Sequence, residues 1–184
     1  MVRVQNRRET NCDIIIPAVA GDGALFPIAK LKAHQDGQLH LAVSVFVFDG
    51  DDLLIQRRAR QKYHCGGLWA NTCCTHPFWN ESVEACAPRR LHEELGFSLP
   101  LTRHDTVEYT AEVGGGLTEH ERVTLFSANV DRRTIEIRPD PAEVDETRWI
   151  SLHDLRREAE DDPSAFTPWL RIYLERFPDL RFTS

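Results

Sequence analysis

The strongest strand pattern in the chain is Leu41-Ala-Val-Ser-Val-Phe-Val-Phe48, aliphatic and aromatic with no charge. Asp49-Gly50-Asp51-Asp52 then supplies a turn, and Leu53-Leu54-Ile55-Gln56-Arg57-Arg58 returns, so the pattern predicts a hairpin on an Asp-Gly dipeptide. Upstream, Cys12-Asp-Ile-Ile-Ile-Pro17 reads as a short β-branched strand stopped by proline, and residues 20–27 as turn. Downstream, Thr106–Val113 and Glu121–Val130 alternate at period two around Gly114-Gly115-Gly116, and Glu146–Ile150 adds a strand. A helical pattern covers about Glu81 to Leu95 and is closed by Gly96. Pro88 suits that helix only in its first turn, where a missing N–H breaks no bond. Ser151-Leu152-His153-Asp154 opens a short charged helix, and a last helix runs over about 167–176. With no repeat or linker between them, these elements predict one α/β domain of mixed α+β character. It spans 12–184, with a central mixed sheet flanked by helices, and 1–11 form a flexible N-terminal lead-in.

Composition changes this picture little. The 184 residues are 41% hydrophobic and 28% charged, ordinary for a globular domain with a sizeable core. No run of about 18 apolar residues spans a bilayer, and the N-terminus lacks the apolar stretch of a secretory signal. Five cysteines without an export signal favour reduced thiols and a cytoplasmic location. The net charge of −7 argues against nucleic-acid binding, so the basic cluster Arg57-Arg58-Ala59-Arg60-Gln61-Lys62 points to a small anionic ligand instead.

The candidate chemistry crowds around Gly67–Pro77, which carries Cys73, Cys74 and His76. If locally extended, Cys73 and Cys74 face opposite ways and only one enters a given pocket. Thr75-x5-Glu81-x7-Arg89-Arg90-Leu91-His92-Glu93-Glu94-Leu95-Gly96 has the spacing of a worn Nudix box, with Thr75 for the opening Gly and Arg90 for a Glu. The same charges also suit a solvated helix whose arginines and glutamates pair with one another. On a strand, Glu119 and Glu121 share a face and His120 points away. His34, His40 and His76 can join those two carboxylates in a set suited to Zn, Mn or Fe, although each histidine alone is as well placed on a surface. A structural zinc site from Cys65, Cys73, Cys74 and His76 lacks paired C-x2-C spacing.

The run Tyr63-His64-Cys65-Gly66-Gly67-Leu68-Trp69-Ala70-Asn71-Thr72-Cys73-Cys74-Thr75-His76-Pro77 resembles the signature of the type 1 isopentenyl-diphosphate Δ-isomerases, which are Nudix-fold enzymes. Lys30-x3-His34, His40-Leu-Ala-Val-Ser, Gln56-Arg-Arg-Ala, Tyr109-x9-Glu119-His-Glu121 and Ala165-Phe-Thr-Pro-Trp169 extend the match over about residues 12–175. The resemblance implies Cys74 and Glu121 as catalytic groups, with Tyr109 and Trp169 lining the hydrocarbon end. It implies Lys30, Arg58, Lys62 and Arg90 as the diphosphate grip. It also implies a metal shell of His34, His40, His76, Glu119 and Glu121, holding Mn2+ or Zn2+. Glu94, with the Cys74 carbonyl nearby, would hold Mg2+ on the substrate. The expected ligand is a small allylic or homoallylic diphosphate, with no nucleic acid or membrane partner; the oligomeric state is open, a monomer included. A Nudix hydrolase of a nucleoside diphosphate derivative and an inactive diphosphate-binding module are the competing expectations.

Overall fold

The computed structural model describes residues 14–180 and 182, so the lead-in expected over 1–11 lies outside the described residues. In chain order the elements are β1 (Ile15–Val19), β2 (Leu25–Ala29), α1 (Lys30–Asp36), β3 (His40–Asp49), β4 (Asp52–Arg58), β5 (Trp69–Ala70) and β6 (Cys73–Thr75). Then follow α2 (Val83–Leu95), β7 (Thr102–Glu112), β8 (Thr118–Asn129), β9 (Val144–Ser151), α3 (Leu152–Asp161) and α4 (Pro168–Arg176). Among the described residues the nine strands join one mixed sheet, as the sequence led us to expect.

β3 is its axis. On one side β3 pairs in parallel with β8 from His40↔Glu121 to Phe48↔Asn129. Its other side is shared among β1 at His40, β6 at Val43–Val45 and β4 at Phe48–Asp49. The uninterrupted apolar run has a plain cause, because both faces of the strand are covered. Ala42, Phe46 and Phe48 pack in the cluster that includes Leu155 of α3 and Leu170, Tyr173 and Leu174 of α4. Val43, Val45 and Val47 pack in the cluster of Leu91 and Leu95 from α2.

β3 and β4 meet only at the hairpin turn, and the chain 69–75 enters between them. Thr72 holds the gap by donating from Oγ1 to Leu54 O at 2.6 Å and accepting from Val47 N at 2.9 Å. Asn71 donates to Val45 O and Cys73 O. Both residues are fully buried, and the sheet stays open where they sit. The functional side chains gather along that opening.

Two expectations about proline are corrected. Pro17 does not end β1; it lies inside it, opposite Pro27 of β2. The Lys30 N to Ile14 O bond shows that even-numbered β1 residues take the hydrogen-bonded sites, so neither proline removes a bond of this ladder. Pro88 is the sixth residue of α2 rather than a first-turn residue. It leaves the Glu84 carbonyl without its helical donor, and Glu84 faces solvent, where water can serve that carbonyl. Ser82 caps α2 by accepting from Ala85 N at 3.2 Å, and Gly96 closes it at φ 78. β5, β6 and the full reach of β7 to Thr102 also go beyond the sequence expectation.

Candidate metal and proton-transfer site

Glu119 and Glu121 stand two apart on β8 and project to one face, while His120 turns away and bonds Gly37 O through Nδ1 at 2.9 Å. His34 comes from α1, His40 from the first residue of β3 and His76 from just past β6. His40 is the register partner of Glu121, which brings the two carboxylates under the imidazoles.

The Nε2 atoms of His34, His40 and His76 lie 3.3, 3.9 and 3.9 Å from one atom, Oε2 of Glu119. The His40 and His76 Nε2 atoms are themselves 3.1 Å apart. Donors at roughly 2.0–2.2 Å from a common metal ion stand about this far from one another. His34 and His40 give Nδ1–H to Lys30 O (2.6 Å) and Gln38 O (2.7 Å), which leaves an Nε2 lone pair directed inward on each ring. Glu119 Oε2 is buried with no hydrogen-bond partner. Such a carboxylate oxygen among imidazole lone pairs fits a divalent cation. Among the described residues these four have ligand atoms mutually within 4.8 Å, and Glu121, the fifth expected ligand, falls outside that set. Burial holds His40 down to about 4 and His76 well below the ordinary histidine range, so both rings are neutral, as ligands must be. Burial also pulls His34 down, but the Glu119 carboxylate 3.3 Å away outweighs it and raises that group.

Cys74 and Cys73 face opposite ways on β6, as their adjacency predicts. Cys73 is buried in the α2-side cluster. Cys74 turns to the other side, donating to Asn71 Oδ1 at 2.8 Å, with Ser44 Oγ at 3.0 Å; Ser44 in turn contacts Tyr173 OH at 2.9 Å. Burial pushes the Cys74 thiol far above its usual range and outweighs the Ser44 and Asn71 hydrogen bonds, so it stays protonated. Glu121 accepts a short hydrogen bond from Tyr109 OH, and its Oε1 lies 2.7 Å from His76 Nε2. Cys74, Glu121, Tyr109 and Trp169 line one inner cavity of about 30 Å3, with Glu94, His76 and Glu119 beside them. His34 and His40 stand behind it, against Glu119.

The four cations singled out in the sequence also converge. Lys30, Arg58, Lys62 and Arg90 line the inner cavity, and all but Arg58 also line an outer cavity of about 270 Å3. A shift in the β4–β9 register between Arg57 and Arg58 accompanies the turn of Arg58 beneath the Trp169 ring, 5.2 Å from its centroid. Arg58 Nε and Arg90 Nε are buried without partners, an arrangement suited to an anionic ligand. Glu94 is buried, accepting from Arg90 at 2.6 Å and from Gln56 at 3.0 Å.

Sequence reasoning missed two residues here. His64, quoted in the motif but given no role, puts Nε2 3.2 Å from Glu119 Oε1. Glu143, half-buried, ion-pairs with Lys62 and lies 3.4 Å from Arg90. No local pattern signals either, because each contact spans more than fifty residues of chain.

The sheet held between helices, the α2 carboxylate and the enclosed cations define a Nudix protein. The family model described as NUDIX domain matches residues 38–170. A MutT protein from Methanosarcina mazei shares the fold at TM-score 0.60 and 17% identity, over 76% of this chain and 93% of its own. A Deinococcus radiodurans structure does so at TM-score 0.71 and 13% identity, over 89% and 99%. Curated relatives are much nearer. An isopentenyl-diphosphate Delta-isomerase of Cereibacter sphaeroides is 58% identical over 83% of this chain and 86% of its own. That of Ruegeria pomeroyi is 53% identical over 92% and 93%. The chain belongs to the isopentenyl-diphosphate Delta-isomerase family, within the Nudix fold. Among the described residues, no helix is long and apolar enough to cross a membrane.

Proposed function

We propose that this enzyme interconverts isopentenyl and dimethylallyl diphosphate by adding a proton at one carbon of the homoallylic unit and removing one at another. The observation that carries this reading is a single enclosed cavity lined by a protonated thiol, Cys74, and by Glu121, a carboxylate bonded to Tyr109 and facing His76. Moving an unactivated double bond needs two such groups, and diphosphate hydrolysis needs no thiol. Cys74 and Glu121 are the two proton-transfer groups.

The charge that develops between them is a tertiary carbocation. The Trp169 face can stabilise it by about 2 kcal/mol when desolvated, and Tyr109 closes the same wall. Burial excludes the water that would trap the cation. Lys30, Arg58, Lys62 and Arg90 hold the diphosphate. His34, His40, His76, Glu119 and Glu121 would hold one divalent ion, Mn2+ or Zn2+, and Glu94 with the Cys74 carbonyl would hold Mg2+ on the diphosphate. When bound, such ions would supply positive charge, neutralising the diphosphate and biasing the protonation of Glu121. An inner cavity of about 30 Å3 has room for little more than a water, so a five-carbon chain requires the 59–68 loop or Trp169 to give way on binding.

The deciding experiment is a product assay with isopentenyl diphosphate, with and without Mg2+, beside a panel of nucleoside diphosphate derivatives. Allylic product formed only with Mg2+ is the expected result. Hydrolysis of the panel without isomerisation would replace this reading with the Nudix hydrolase one.

A further inference from the structure

His64 sits against the metal cluster without belonging to its mutually close donors. Its ring is buried, stacked on His34 with centroids 5.4 Å apart and set edge-on to Trp169 at 6.0 Å. The two oxygens of Glu119 have different surroundings. Oε2 faces the Nε2 atoms of His34, His40 and His76, while Oε1 faces His64 Nε2 at 3.2 Å.

Placement separates His64 from the cluster: His76 shares its unpartnered Nδ1, but the His76 Nε2 lies 3.1 Å from that of His40, inside the cluster, whereas the His64 Nε2 meets the outer oxygen of Glu119. His34 and His40 place their N–H on Nδ1, where a backbone carbonyl accepts it. His64 has no partner at Nδ1. Its one useful position for a proton is Nε2, where a carboxylate oxygen accepts it, and an Nε2–H is a donor rather than a ligand. An N–H at that position, 3.2 Å from Oε1, would restrain Glu119 on one oxygen and leave the other free.

We infer that His64 is a positioning residue: it donates to Glu119 Oε1, fixes the rotation of that carboxylate, and presents Oε2 alone to the divalent ion. Because the His64 carbonyl also accepts from Arg58 at 3.4 Å and its ring borders Trp169, the same loop residue adjoins all three parts of the site. The inference rests on the metal-binding reading of the His/Glu cluster.

The test uses the full-length chain stripped of metal. Mn2+ and Zn2+ are each titrated in competition with a chromophoric chelator into wild type, His40→Ala, His64→Leu and His64→Gln. His64→Leu keeps bulk and removes the donor, and His64→Gln keeps a donor. We expect His64→Leu to weaken the metal site roughly ten- to a hundredfold and His64→Gln to stay within about threefold of wild type. In turnover assays at limiting metal, the Leu variant should lose kcat with KM for the diphosphate little changed, and excess metal should restore it. A His64→Leu protein that melts uncooperatively is replaced by His64→Ala in the same comparison. Wild-type affinity in the Leu variant, or equal losses in Leu and Gln, overturns the role of His64 while leaving the metal site standing. A wild type that binds neither ion more tightly than His40→Ala overturns both.

Discussion

His40 and His76 hold their Nε2 atoms 3.1 Å apart, and each also lies 3.9 Å from the same oxygen of Glu119. The rings cannot withdraw, since His40 is tied through Nδ1 to Gln38 O and both are buried. A cation at that focus stabilises the folded chain alone, because the unfolded chain has no such cluster. At a free metal concentration a hundredfold above Kd the gain is about 2.7 kcal/mol. For a domain of this size that raises Tm by roughly 5–10 °C. The expected outcome is a chelator-sensitive melting temperature in wild type and no such sensitivity in His40→Ala. Equal melting with and without chelator would remove the metal from the account.

The neighbouring thiols should separate function from packing. Cys74→Ala removes the proton that Cys74 offers within the inner cavity, and turnover should fall at least about a thousandfold, with inorganic diphosphate affinity largely kept. Cys73→Ala acts on the other face of the sheet, where it opens a small void in the α2 cluster and costs about 1 kcal/mol of stability. Its turnover should remain substantial. Near-wild-type turnover in Cys74→Ala would exclude that thiol from the chemistry.

The sequence exposed those features that depend on local period and missed those set by distant pairing. The opposed faces of Cys73 and Cys74 and the shared face of Glu119 and Glu121 follow from alternation along one strand, and β3 is visible as an uninterrupted apolar run. β6 has three residues and exists only because Asn71 and Thr72 hold β3 and β4 apart, so no propensity within it announces a strand. Pro17 lies within β1 because Pro27 opposes it at a site where neither needs a donor, a fact written in two segments at once. Glu143 meets Lys62 across 81 residues, and the return of β9 alone brings it there.

That carboxylate should matter for anion affinity. Lys62 and Arg90 hold Glu143 below the usual carboxylate range although its partial burial pushes the other way, so it stays charged beside the cations of the outer cavity. Glu143→Gln removes a negative charge that offsets them. Inorganic diphosphate should then inhibit more strongly, by about 1 kcal/mol or roughly fivefold in Ki. A weaker Ki would mean instead that Glu143 acts by holding Lys62 and Arg90 in place.

Outside the site, Glu81 anchors the start of α2 and should carry a pH signature. It accepts from Arg89 at 2.5 and 2.6 Å and from Phe78 N at 2.9 Å. Burial raises its pKa, but these bonds outweigh burial and hold it below the usual carboxylate range. A depressed carboxyl stabilises fully above its unfolded pKa, and the gain is lost as pH falls through the folded one. Solvent screening discounts these part-exposed charges, so Glu81→Gln should cost about 0.5 kcal/mol at pH 7, by denaturant melts. The gap should narrow below about pH 4.5 and close at more acid pH. A pH-independent gap would assign the loss to packing of Arg89 on Phe78 instead.

Pro88 offers the opposite sign. At the sixth position of α2 it deprives the Glu84 carbonyl of a donor, and proline inside a helix is about 3 kcal/mol worse than alanine. Two terms reduce the gain on replacing it. Glu84 is exposed, so water can serve its carbonyl, and the unfolded alanine chain regains about 0.4–1 kcal/mol of conformational freedom. Pro88→Ala should therefore stabilise by about 1–2 kcal/mol, raising Tm by roughly 2–8 °C. The substitution leaves Arg90 and Glu94 on the same helical turns, so kcat should hold. If stability rose while kcat dropped, the helix would be using the proline to set the angle at which α2 presents those two residues to the cavity. If stability fell, the argument that Pro88 strains α2 would be wrong.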